Sequence, residues 1–366
     1  MSEKFEHSVE TYDIESELGR DDLTIAYGAR RKSDGAQVLV RVVAPQFVFD
    51  TYFIRRLKDA VTRSMGLDHP NIVKTYEVAE KEDIVYIARE WVEADSLAVY
   101  LEKHGPIPLI QVLEFIEQLA SALDYAHTQG IKHGDLSDGS IFVADNHIWV
   151  SDFGLVMAMD GTSLVKKGFG IGNPAYLSPE RVRGEGSSRI SDLYALGVIC
   201  YQMLTGQPPF TGTAPAILHA QAYEQPTPPH EHNRKISQTV SDVVLRMMSK
   251  GLELRYNTGA EFVAALQAAA EGSAPVRRQR RKTAPHEPVR RPAGPSLSKQ
   301  FLIGLFVLTP LIGLGLAAGF WAANRWLPKW EPSAVAQPEA VVLPRSEAGA
   351  DLTPIPLTVE VQEYAL

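Results

Sequence analysis

Residues 131–143 read Ile131-Lys132-His133-Gly134-Asp135-Leu136-Ser137-Asp138-Gly139-Ser140-Ile141-Phe142-Val143, and Asp152-Phe153-Gly154 follows nine residues after Val143. Two carboxylates, Asp135 and Asp152, bracket this short region. Upstream of it, Tyr12 to Gly19, Ile25 to Arg30 and Gln37 to Val43 read as strands, and their short separations predict three antiparallel strands. Residues 50–66 read as a helix and Ile84 to Val92 as a further strand. Ser96 to Lys103 reads as a short amphipathic helix, and Leu109 to Gln129 as a longer one stopped by Gly130. Strands up to about residue 92, interrupted by one helix, with helices after them fit an α+β chain.

The wording of these segments resembles the bacterial Hanks-type serine/threonine protein kinases over about residues 12–268. The resemblance rests on His133-x-Asp135, on Asp152-Phe153-Gly154, and on Gly172-Asn173-Pro174-Ala175-Tyr176-Leu177-Ser178-Pro179-Glu180, all at the family's spacing. It implies a bilobal protein-kinase fold, with a small β-rich lobe and a large helical lobe, that uses ATP and Mg²⁺. In that family the first aspartate receives the substrate hydroxyl proton and the second holds Mg²⁺ on the ATP phosphates, roles that would fall to Asp135 and Asp152. It also implies that Glu180 pairs with Arg255 and that Asp192 braces the loop carrying Asp135.

The groups around the two aspartates depart from the family pattern. Gly134 stands in place of arginine, Ser137 in place of lysine, and Ser140 in place of the Mg²⁺-binding asparagine. The phosphate-cradling loop reads Gly19-Arg20-Asp21-Asp22, with two of its three glycines gone and two carboxylates where a polyphosphate would lie. In Val38-Leu39-Val40-Arg41 the strand lysine has become arginine, whose planar guanidinium is not equivalent to an ammonium. Leu39 and Ala26 reshape the slot for adenine. Ala60 takes the place of the glutamate that pairs with the strand lysine, or Asp59 if the register slips by one. Arg89 falls at the back of the nucleotide pocket, where a buried cation needs a partner such as Asp152; the slipped register would turn it to solvent. The absence of arginine at Gly134 also disfavours activation by phosphorylation of the segment after Asp152.

By this resemblance the nucleotide-binding residues are Gly19, Ala26, Leu39, Arg41, Arg89, Glu90 and Phe142, and the metal ligands are Asp152 and Ser140. The catalytic group is Asp135, Asp152, Arg41 and Lys132. Each lost electrostatic contact in such a site costs about 2–4 kcal/mol of transition-state stabilisation. Two readings follow. The first is a pseudokinase, a scaffold for a cytoplasmic protein partner with nucleotide binding weakened or lost. The second is an atypical active kinase acting on protein serine or threonine, in which Arg41 or Lys132 supplies charge to the phosphates. A nucleotide-binding switch without transfer, with Asp152 and Ser140 holding one Mg²⁺, lies between them.

Composition sets the organisation of the rest. A chain of 366 residues, 45% hydrophobic and 22% charged, can bury a large core. The single cysteine, Cys200, lies in an apolar run that reads as buried helix, so no intramolecular disulfide exists. The net charge of −8 conceals eight Lys or Arg between residues 277 and 299. Phe301 to Ala323 then carries no charge, and as a helix of about 35 Å it would cross a bilayer core of about 30 Å. The expected layout is an N-terminal tail at 1–11 without a signal peptide and a kinase-like domain at 12–270. A basic disordered linker at 271–299, a transmembrane helix at 300–323 and a short acidic, proline-rich tail at 324–366 complete it. The positive-inside rule places the kinase-like domain in the cytoplasm and the C-terminal tail outside the inner membrane. The basic block borders the span, so nucleic-acid binding is not expected of it. The sequence leaves the oligomeric state open.

Overall fold

The computed structural model describes residues 9–21, 23–81, 83–155 and 172–273. The small lobe is a five-stranded antiparallel sheet of β1 (Tyr12–Arg20), β2 (Thr24–Arg31), β3 (Gln37–Val43), β4 (Thr75–Lys81) and β5 (Ile84–Glu90), in the order β1-β2-β3-β5-β4. A short helix α1 (Pro45–Val48) and the longer α2 (Thr51–Ser64) connect β3 to β4. Asp50 starts α2 by accepting a hydrogen bond from the Phe53 amide, as an N-cap should. The face of α2 carrying Phe53, Leu57 and Val61 packs with Val43, Val85 and Ile87 on one side of the sheet. Val9, Tyr12, Tyr27, Val38, Val40 and Tyr86 cover the other side.

Alternation in the strands fixes which side chains face the cleft. In β3, Val38 and Val40 are buried in the outer cluster, so Leu39 and Arg41 lie on the opposite face. Register then sets Ala26 beside Arg41, and Leu39 beside Arg89 of β5. Arg89 is buried, so the register that would turn it to solvent does not hold. In α2, Ala60 is buried with its backbone carbonyl against Gly154, while Asp59 is exposed. The residue facing the Asp152-Phe153-Gly154 turn from this helix is therefore alanine.

The large lobe contains β6 (Asp95–Ser96), α3 (Leu97–His104) and α4 (Leu109–Thr128), then the hairpin of β7 (Ile141–Ala144) and β8 (His147–Val150). After the undescribed residues 156–171 come α5 (Pro179–Val182), α6 (Arg189–Thr205), α7 (Ala214–Tyr223), α8 (Pro229–His232), α9 (Gln238–Met247) and α10 (Gly259–Ser273). Its core joins Phe115, Ile116, Leu119 and Leu123 of α4 to Leu193, Leu196, Cys200 and Met203 of α6 and Phe262 of α10. Burial pushes the Cys200 thiol up, so it serves as a small apolar group. Helix α10 continues to Ser273, which includes the first three residues assigned to the linker. No helix among the described residues is long and apolar enough to cross a membrane. The span expected at 300–323, the remainder of the basic linker and the tail at 324–366 lie outside the described residues.

Candidate active site

Loop positions come first, because the backbone aims every functional side chain. Asp192, buried in α6, accepts hydrogen bonds from the His133 and Gly134 amides, both at 2.9 Å, and from His127 Nε2 at 2.8 Å. Burial would raise this carboxyl, but the His127 contact and the amides hold it low. His133 donates from Nε2 to the Ser151 carbonyl at 2.9 Å and accepts the Asp135 amide at Nδ1, fixing its neutral tautomer. Its ring lies 4.8 Å from that of Phe153. One histidine thus ties the segment carrying Asp135 to the segment carrying Asp152. Farther down, Arg255 grips Glu180 with two hydrogen bonds of 2.8 Å, the bidentate geometry that makes a buried pair worthwhile. The braces implied by the family resemblance are present in the structure.

A cavity of about 430 Å³ lies between the lobes, lined by Asp21, Leu23, Arg41, Asp135, Ser140, Asp152 and Gly172 among others. Asp152 occupies its floor in a left-handed backbone conformation, φ 64°, uncommon for a residue with a side chain. Its Oδ2 accepts from Arg41 Nη2 at 3.1 Å and from the Ser151 hydroxyl at 2.7 Å. Its Oδ1 faces Arg89 Nε at 3.6 Å. Burial alone would raise the Asp152 carboxyl, yet Arg41 and Arg89 hold it well below the usual carboxylate range. Arg89 also lies over the Phe142 ring, 5.2 Å from its centroid.

At the mouth, Asp21 closes a turn by accepting from the Leu23 and Thr24 amides at 2.8 and 2.7 Å. Its other oxygen accepts from Arg41 Nη1 at 2.8 Å, and the same Nη1 donates to the Thr24 hydroxyl at 2.8 Å. Leu23 anchors this loop by packing with Val43, Phe47 and Leu155 in the small-lobe core. A chain of alternating charges therefore runs Asp21, Arg41, Asp152, Arg89.

Asp135 has a different environment. Burial pushes its carboxyl up to about 6, against the opposing influence of the Arg181 guanidinium nearby. Arg181 donates to the Gly134 carbonyl. The backbone at Gly172, φ 88°, passes so close that a Cβ there would overlap Oδ1 of Asp135. Gly172 therefore lies against the carboxylate that would meet a substrate hydroxyl, although Asp135 still lines the cavity.

The structure brings together Arg41, Asp135, Ser140 and Asp152 around the cavity; Ala26 pairs with Arg41, Arg89 faces Asp152, and Leu39 and Phe142 lie beside Arg89. Gly19 pairs with Ala26 at the end of β1. Two expected residues are turned elsewhere. Lys132 donates to the Ser187 carbonyl at 2.7 Å, so its charge is spent on the large lobe and not on the cavity. Glu90 accepts the Lys74 amide at 3.2 Å. Ser140 spends its hydroxyl within its own loop, donating to the Ser137 carbonyl and accepting the Ser137 amide. The donors a divalent cation would use are thus an arginine-bound carboxylate and an engaged hydroxyl, a poor fit to Mg²⁺. Leu23, Ser151 and Arg181 are not singled out by the sequence, and Gly172 only as part of a motif; a lone leucine in an otherwise polar turn is the available signal for the first.

Residues 12–267 match the protein kinase domain family. Serine/threonine-protein kinase PknB of Mycobacterium leprae is 33% identical over 276 residues, 74% of this chain and 44% of that protein. Serine/threonine-protein kinase PrkC of Bacillus subtilis is 31% identical over 260 residues, 70% of this chain and 40% of that protein. The chain thus spans less than half the length of these curated relatives. Among solved structures, the kinase domain of Mycobacterium tuberculosis PknI superposes with a TM-score of 0.58 at 22% identity, over 71% of this chain and 96% of that one, a likeness of fold. The chain belongs to the protein kinase domain family.

Proposed function

We propose that this protein is a non-catalytic member of its family, a membrane-anchored pseudokinase that uses the kinase fold to engage a cytoplasmic protein partner. The observation that carries this reading is the occupation of Asp152 by Arg41 and Arg89. Introducing Mg²⁺ there would set a dication beside two guanidiniums and break a buried ion cluster. ATP phosphates would also have to displace Asp21 from Arg41. Arg89 and Phe142, both expected to bind nucleotide, instead lie over one another. Gly172, packed against Asp135, crowds the approach of a substrate hydroxyl. The uncharged stretch at 300–323 supports a single membrane anchor, with the kinase fold on the basic, cytoplasmic side.

The alternative is an atypical active kinase using ATP and Mg²⁺ on a protein substrate. It is favoured by one observation, that Asp135 and Asp152 still line the same cavity. The readings part in cells. Replacing the chromosomal copy with Asp135→Asn should preserve the wild-type phenotype if the protein acts by binding. Loss of the phenotype with normal protein levels would favour the enzyme.

A further inference from the structure

A second groove, of about 760 Å³, shares no lining residue with the inter-lobe cavity. It lies between residues 91–95 that follow β5, the side of α3 carrying Tyr100 and His104, and the β7–β8 turn at residues 143–145. Trp91, Val92 and Tyr100 are half-buried and line it with apolar and aromatic surface, whereas Glu93 and Asp145 are exposed. Among the described residues, no lysine or arginine lines the groove. Its third acid, Asp95, is already answered by Lys103 at 2.7 Å. Arg30, beside Gln37 across the sheet, is bound to Glu15 at 2.7 Å and leaves the groove's acids alone. Glu93 and Asp145 form no ion pair among the described residues. Two uncompensated carboxylates beside exposed apolar surface complement a partner that brings cations and apolar side chains together.

We propose that this groove docks a basic segment of a protein partner, with lysines or arginines on Glu93 and Asp145 and aliphatic side chains against Trp91, Val92 and Tyr100. The proposal rests on the reading of this domain as one that engages a protein partner, and it names the face used and the chemistry of what binds there. The two roles divide between the two kinds of surface: burial of the aliphatic groups supplies affinity, and the carboxylates select the sign of the partner's charge.

The experiment is fluorescence anisotropy of a labelled peptide of alternating arginine and leucine, titrated with the full chain at low salt. Saturable binding is expected, and Glu93→Gln/Asp145→Asn should weaken it about five-fold, the loss expected of two exposed ion pairs. Glu253→Gln/Asp242→Asn removes the same charge from exposed positions outside the groove and should leave affinity unchanged. A peptide with glycine for each leucine should bind about ten-fold more weakly, because it forfeits the apolar burial. A peptide of alternating glutamate and leucine, a control that needs no variant, should not bind. Absence of saturable binding overturns the proposal, as does an equal loss in the two double variants. Equal affinity for the glycine or the glutamate peptide overturns it too. Sedimentation showing oligomers of the wild type and monomers of Glu93→Gln/Asp145→Asn would make the occupant a second copy of this chain, and would also overturn it. Each of these failures leaves the non-catalytic reading standing, since the groove and the cleft share no residue. Mg²⁺-dependent stabilisation by ATP would instead remove that reading and leave the peptide result in place.

Discussion

Between Arg41 and Arg89, Asp152 has become a structural ion as well as a residue of the cleft. Removing one member of a buried ion cluster leaves the others uncompensated, which costs about 3–5 kcal/mol. Asp152→Asn should therefore lower unfolding free energy by about that amount in urea titrations. A loss below about 1 kcal/mol would mean that the arginines find other partners. Asp135 gives the opposite prediction. Its carboxyl titrates at about 6 in the folded protein against 3.8 in the reference state, so the folded protein binds the extra proton between these values. Stability contributed by this group is present at low pH and is lost as pH rises through about 6. Asp135→Asn mimics the protonated form, and should stabilise the protein by about 1–3 kcal/mol at pH 8. That gain should shrink as pH falls from 6 towards 4. A gain independent of pH would exclude the titration of Asp135 as its cause.

Elements place these residues, and much of that placement was legible in the sequence. Alternation and short turns gave the first three antiparallel strands, and the strand motif picked out Leu39 and Arg41; the pairing of β3 with β5 was not read. The braces Asp192 and Glu180–Arg255 were legible from the family resemblance, because their motifs stand at the family's spacing. What could not be read were contacts set by approach of distant segments: Gly172 over Asp135, Lys132 on the Ser187 carbonyl, and Asp21 on Arg41. These depend on where a loop lands by packing, as Leu23 does in the small-lobe core, and no local pattern encodes that landing. The end of the segment at Gly172 can be tested at this scale. A side chain there must adopt a left-handed backbone and displace Asp135, so Gly172→Ala should destabilise by about 1–3 kcal/mol. Part of this loss should return in Gly172→Ala/Asp135→Ala, because the two residues share one space. Strict additivity of the two changes would show that they do not touch in solution.

Across the whole molecule, the scaffold of a kinase has been retained while the electrostatics of its cleft have been turned inward. The large-lobe core and its buried Glu180–Arg255 pair need no ligand to be satisfied, and in the cleft protein groups neutralise Asp152 and Arg41 as well. On the proposed scaffold reading, a domain stabilised in this way presents a constant surface to its partner. The most direct measurement is the thermal shift of the purified full chain with ATP, in the presence and absence of Mg²⁺. A ligand at one hundred times its Kd would stabilise the fold by about 2.7 kcal/mol, a readily seen rise in Tm. We predict no Mg²⁺-dependent rise at millimolar ATP, with Asp152 remaining on its arginines. A rise that requires Mg²⁺ would show that the metal displaces them, and would contradict the central claim.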